Sequence, residues 1–234
     1  MSEQVNDVNR ELARSNRALR MLSDSNQALI RATDERVLLR EVCQNTITGG
    51  YHLAWVALID DVPATDVRVA AHAGAWPPAL VAETMARCDL ITEAVETGVA
   101  TVREDLAALV SNPARELELA AGCRAAIVLP LIIEDRTLGA LLIYAAAPTT
   151  FDDAERAILW ELAGDVAYGL AALRTRAERD QMLVELARTN RAFEAAEHLA
   201  GVGHFEHDLT RHKLAASPEA HRIWGSTPTT FTLE

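Results

Sequence analysis

The stretch Cys123–Phe151, CRAAIVLPLIIEDRTLGALLIYAAAPTTF, constrains this chain more than any other. Two apolar runs, Ala125–Ile133 and Leu138–Ala147, flank the polar tripeptide Glu134-Asp135-Arg136. Neither run alternates apolar with polar, as a strand wetted on one side would, so both read as strands buried on two faces. The tight polar break predicts an antiparallel hairpin in mid-sheet. A membrane span is excluded, because three charged residues interrupt a stretch that would need about 20 apolar ones. Asp152-Asp153 then opens a helical run with no proline before Pro218. A sheet covered on both faces therefore leads straight into a long helix.

The N-terminal segment carries Val5, Val8, Leu12, Ser15, Leu19, Leu22, Asn26 and Leu29, spaced alternately three and four apart. That is the seam of a coiled coil, and an asparagine within it fixes register and favours a parallel dimer. The competing reading is an amphipathic helix packed on its own domain; the polar faces outside the stripe favour a homodimer seam. Val37, Leu38, Val42 and Ile47 mark one side of a second helix, stopped by Gly49-Gly50.

Leu53–Ile59 reads as a strand, 60–66 as its turn and Val67–Ala73 as the returning strand. Pro77-Pro78 is expected to open a short helix to about Arg87, and Ile91–Thr97 another. Gly98–Arg103 reads as a strand, and Asp105 is placed to cap the turn after it. Pro113–Ala121 is helical up to Gly122. This order describes an α+β fold, an antiparallel sheet with small helices inserted mid-chain and helices on both faces.

The final helix is expected to span Asp152 to about Leu199, roughly 70 Å at about 1.5 Å per residue. Its second half should project from the domain. Glu185–Phe193 (ELARTNRAF) repeats Glu11–Leu19 (ELARSNRAL) at seven of nine positions, which reads as one linker type used twice. Beyond it, Gly201-Val202-Gly203 breaks the helix, HFEHDL reads as a strand, and Lys213–Ala216 as its partner. Ser217-Pro218-Glu219 caps a short helix. So short a segment makes no core of its own and reads as the start of a second domain. The expected divisions are a coiled-coil helix at 1–33, a domain at 34–173, a coiled-coil linker at 174–199 and the partial second domain at 200–234.

Aromatics are only 5% of the 234 residues while hydrophobics are 50%, so aliphatic side chains must fill the core. A net charge of −12 with a pI near 5.0 argues against nucleic acid and anionic membranes as partners. Cys43, Cys88 and Cys123 lie far apart, an odd set that fits reduced thiols in a cytoplasm. The polar MSEQVNDVNR start is not a signal peptide.

Several ordered pieces together resemble a GAF domain. They are Gly98-Val99-Ala100-Thr101-Val102 leading to Asp105, Ala126–Leu131, Leu138-Gly139-Ala140-Leu141, and Phe151 with Asp152-Asp153-Ala154-Glu155. With the opening helix and the Trp55 strand, the resemblance covers residues 34–173. The turn glycine common in that family's hairpin is missing, and Asp135 is expected to take the left-handed position. The tail resembles the start of a PAS domain through Gly201-x-Gly203, Phe205-Glu206-x-Asp208-Leu209, Ser217-Pro218-Glu219 and Ile223-x-Gly225, with His207 where an aromatic is usual.

The GAF resemblance implies a small-ligand pocket between the sheet and the inserted helices, where Trp55, His72, Trp76, Cys88, Asp105 and Cys123 are candidates. Each also has an ordinary structural role: Trp55 as core, Asp105 as a cap, Cys123 as a small buried hydrophobe. Neither Cys88 nor Cys123 is followed by the histidine typical of covalent bilin attachment, the family's cyclic-nucleotide motif is missing, and haem through His52 or His72 has no motif behind it. The cofactor is unknown. Of seven histidines, five follow residue 197, but their spacing fits no tight metal set.

The arrangement resembles the input half of bacterial signalling proteins, in which such modules precede a histidine kinase or a cyclic-di-GMP synthase or phosphodiesterase. No catalytic motif of those outputs is present. The expected function is a dimeric cytoplasmic sensor segment. The alternatives are a free-methionine-sulfoxide reductase using Cys88 and Cys123, and a ligand-free dimerisation module.

Overall fold

The computed structural model describes residues 2–59, 67–74, 89–111, 113–211, 213–226 and 231–232, and in the first helix the side-chain description begins at Asn16. The chain forms two compact units, Met1–Arg174 and Thr175–Glu234. The expected turn at 60–66 and the Pro77–Arg87 helix lie outside the described residues.

The first unit begins with helices α1 (Ser2–Arg31) and α2 (Glu35–Thr48). Asp34 starts α2 by accepting hydrogen bonds from the amides of Arg36 and Val37 at 2.8 and 3.2 Å, which satisfies donors the helix itself leaves open. Strands β1 (Leu53–Ile59) and β2 (Val67–Gly74) follow, then α3 (Asp89–Thr97) and β3 (Thr101–Arg103). A 3₁₀ turn at Leu106–Ala108 and α4 (Pro113–Ala120) lead to β4 (Ala125–Ile133), β5 (Arg136–Ala145) and α5 (Asp153–Ala200). The architecture is α+β, with a five-stranded antiparallel sheet in the order β2-β1-β5-β4-β3.

The β4–β5 hairpin occupies the interior of the sheet, as its two unalternating runs require. Its turn differs in one detail from expectation: Glu134, not Asp135, holds the left-handed backbone at φ +52°. Asparagine and aspartate tolerate that region best, but the preference is slight beside the register of two nine- and ten-residue strands. Gly139 has a stricter reason to be glycine. A Cβ there would stand 2.0 Å from the carbonyl oxygen of Ala57 on the neighbouring strand.

The two faces of the sheet bury separate cores. On the first, Ala54, Val56, Leu58, Ile127, Leu129, Leu141 and Ile143 meet Leu38, Leu39, Val42 and Cys43 of α2 and the inner stripe of α5. That stripe is Leu159, Leu162, Ala163, Val166, Ala167 and Leu170, all 1% exposed or less, at the spacing of one helix face. On the second face, Leu53, Trp55, Ala57, Val128, Leu142 and Tyr144 meet Leu90, Ile91, Ala94 and Val95 of α3, with Leu106 and Cys123. Arg174 on α5 closes the unit by pairing with Glu35 at 3.1 Å.

From Thr175 through Ala196 every residue of α5 is exposed. The second unit then adds β6 (Phe205–Asp208), β7 (Lys213–Ala216), α6 (Pro218–Trp224) and β8 (Phe231–Thr232), the strands pairing antiparallel in the order β6-β7-β8. Ser217 caps α6 through the amide of Ala220 at 3.2 Å. Gly203 lies against that helix: a Cβ there would meet the Ala220 nitrogen at 2.3 Å.

Candidate functional site

Strand register lines up the residues of the second face. His72, Trp55, Leu142, Val128 and Thr101 form one row across all five strands. Gly74, Leu53, Tyr144, Ala126 and Arg103 form the next. Directly opposed residues point to the same side of a sheet, so His72 shares a face with Trp55. Trp55 is wholly buried and tilts against Tyr144, ring centroids 6.1 Å apart. The His72 Nδ1 is buried without a hydrogen-bond partner among the described residues.

Under α4 this apolar face becomes polar. The Tyr144 hydroxyl donates to Glu118 Oε1 at 2.6 Å, and Arg115 Nε stands 3.5 Å from Glu118 Oε2. Glu118 is only 3% exposed. Burial pushes its carboxyl above the ordinary glutamate value, while the Tyr144 hydrogen bond and the Arg115 charge pull the other way. Its place in the last turn of α4 adds a further cost, because the carbonyl end of a helix disfavours negative charge. The same helix end is capped by donors suited to it. Arg124 Nη1 donates to the carbonyls of Leu119 and Cys123 at 3.1 and 2.9 Å, and His52 Nε2 meets the Ala121 carbonyl at 2.6 Å.

Cys123 lies in this core, fully buried. Burial first, and the Glu118 charge second, push its thiol up to about 12, so it is protonated at neutral pH and a poor nucleophile. Cys43 is likewise pushed up to about 12 by burial, and belongs to the opposite core. Of the six residues singled out from the sequence, Trp55, His72 and Cys123 come to the second face. Asp105 serves as the cap of the 3₁₀ turn, accepting from the Ala107 amide at 2.9 Å. Trp76 and Cys88 lie outside the described residues. Glu118 and Arg115 were not anticipated. The available signal was Tyr144, the one hydroxyl inside Leu138–Ala145, since a buried tyrosine hydroxyl needs a partner.

Of the N-terminal stripe, Leu22 is buried, Asn26 and Leu29 are half-buried and Leu19 is 50% exposed; the side chains of Val5, Val8 and Leu12 are outside the described set. Ala18, Met21, Ser25 and Ala28 are buried as well, so this half of α1 packs within its own unit. Among the described residues no helix is long and apolar enough to cross a membrane, and no three ligating side chains gather for a metal ion.

Residues 32–171 match the GAF domain family. Solved structures with the same fold include the free methionine-R-sulfoxide reductase of Neisseria meningitidis, at 18% identity and a TM-score of 0.55, covering 68% of this chain and 91% of that one. The GAF domain of a phosphoenolpyruvate-protein phosphotransferase from Coxiella burnetii aligns at 18% identity and a TM-score of 0.55, covering 70% and 98%. The GAF domain of the cyanobacteriochrome TePixJ aligns at 19% and 0.50, covering 63% and 95%. A search of the curated proteins found no match. At these identities the structural likeness establishes the fold, and a fold by itself does not assign a function.

Proposed function

The chain belongs to the GAF domain family, and we propose that it is the sensory segment of a bacterial signal-transduction protein. A small polar ligand is received on the second face of the sheet, between Trp55, His72 and the Glu118–Tyr144–Arg115 cluster. The carrying observation is Glu118, a carboxylate kept in an apolar core at an unfavourable helix end. Burial of that kind is costly when it serves stability alone, and perturbed carboxyls cluster at functional sites.

The signal leaves through the first face, where α2 and α5 share one core, and passes along α5 to the second unit. That unit resembles a PAS domain at its start, with a histidine kinase or cyclic-di-GMP enzyme as the output. Two chains associate in parallel. Met182 and Leu186 on the exposed part of α5 are 70% and 57% exposed, at positions equivalent to Val8 and Leu12 in the repeated linker. A packed helix pair has discrete arrangements and so suits switching. The cytoplasm is the expected compartment.

Native mass spectrometry of the protein purified from its own host tests the sensor reading. A bound small molecule, lost in Glu118→Ala, is the expected result; a ligand-free wild type at every preparation supports a dimerisation module instead. The reductase reading draws on the fold shared with the Neisseria enzyme, and the protonated, buried Cys123 speaks against it. Turnover of free methionine sulfoxide with thioredoxin, abolished in Cys123→Ser, would restore it.

A further inference from the structure

The second unit contains a cleft of about 290 Å³ that the sensor reading does not use. It is lined by one side of α5 (Asn190, Phe193, Glu194, Glu197), by His204 and Glu206, and by residues 215–218. Its size is at the small end of ligand pockets, which begin at roughly 300 Å³. Among the described residues, three carboxylates line it and neither lysine nor arginine does.

Glu197 makes this more than an acidic surface. It is 7% exposed, although every α5 residue from Thr175 to Ala196 is exposed. Its Oε1 is engaged by His204 Nδ1 at 2.7 Å. Its Oε2 is buried and has no hydrogen-bond partner among the described residues. A buried acceptor left unsatisfied destabilises the fold, and a charged N–H donor in the cleft would relieve that cost. Phe193 adds an aromatic surface beside it, edge-on to His204 at 5.5 Å, and aromatic faces attract organic cations.

We propose that this cleft binds an organic ammonium group, its N–H donating to Glu197 Oε2, its charge balanced by Glu194 and Glu206, and its alkyl stem against Phe193. A metal ion is the weaker fit, since no three ligating side chains converge among the described residues. The ammonium can come from a free amine or from a protein lysine, and two probes separate these sources.

The experiment is an NMR titration of the full chain at low salt with n-butylammonium chloride and, separately, with Nα-acetyl-lysinamide. Saturable shifts at the amides of Glu197, Ala216 and Ser217 are expected with at least one probe. Binding by the first alone identifies a free amine, and by the second alone a lysine. Glu197→Gln is expected to weaken binding about tenfold, the scale of one charge-assisted hydrogen bond. Should that variant lose its helical signal, Glu206→Gln, at an exposed strand position, is expected to weaken binding to a smaller degree. Binding of neither probe, equal affinity in the folded variant, or equal affinity for the neutral 1-butanol would overturn the proposal.

Discussion

Each face of the sheet contains a buried tyrosine–glutamate hydrogen bond, and the two are built on opposite terms. On the helix-packed face, Tyr51 donates to Glu155 Oε1 at 2.6 Å. Glu155 stands in the first turn of α5, where the helix end favours a carboxylate, and its amide is capped by Asp152 Oδ1 at 2.8 Å. On the other face Tyr144 donates to Glu118 at the same 2.6 Å, but Glu118 stands in the last turn of α4. The geometry of the bond is shared; the field around the carboxylate is reversed. A pair placed where the helix wants it is explained by stability. A pair placed against the helix gains nothing from that field.

The contrast is sharpened first by a variant that should harm both faces equally. Gly139→Ala drives a Cβ into the Ala57 carbonyl. A loss of about 3 kcal/mol is expected in urea unfolding, the upper range for overpacking, with both cores loosened together. Next, Glu155→Ala removes a buried partner of Tyr51 along with the acidic first-turn residue. The expected cost is about 2 kcal/mol, typical of a hydrogen bond to a charged group, with no effect on ligand content by native mass spectrometry.

Glu118→Gln should behave in the opposite sense. The folded carboxyl titrates above its unfolded value. Its contribution to stability is therefore full below the ordinary glutamate value and is lost as pH rises through the folded one. The glutamine variant has no such loss, so unfolding at pH 8 should show it as stable as the wild type or slightly more so, while ligand is lost. A large destabilisation at pH 8 would place Glu118 in the same class as Glu155. Smallest of all is the response of the two described thiols, one on each face. Cys43 and Cys123 are both pushed up to about 12. Neither should react with iodoacetamide at pH 8 until urea unfolds the chain, as peptide mass spectrometry would record.

The hairpin was legible because burial on both faces leaves an unalternating apolar run, here doubled and broken only at its turn. The caps at Asp105 and Ser217 were legible because capping is local chemistry. Glu118 was not, because its partner Tyr144 lies 26 residues away and on another element, and a glutamate in PARELELA reads as solvated. The inner face of α1 was obscured for a related reason. Ala18, Ser25 and Ala28 carry little hydropathy, yet their small size lets that helix approach its own unit closely, beside the more conspicuous leucines. His72 was picked out by its residue type, and its alignment with Trp55 depends on a register shift at Val56/Ala57 that no local pattern encodes.

The most direct test is a carboxyl-carbon NMR titration of Glu118 in the full chain. A midpoint above the ordinary glutamate value, rising further in Tyr144→Phe because the hydrogen bond that lowers it is gone, would mean that the second face holds its carboxylate against the local field. A Glu118 midpoint at or below the ordinary value would contradict this, and would leave the two tyrosine–glutamate pairs as equivalent pieces of structure.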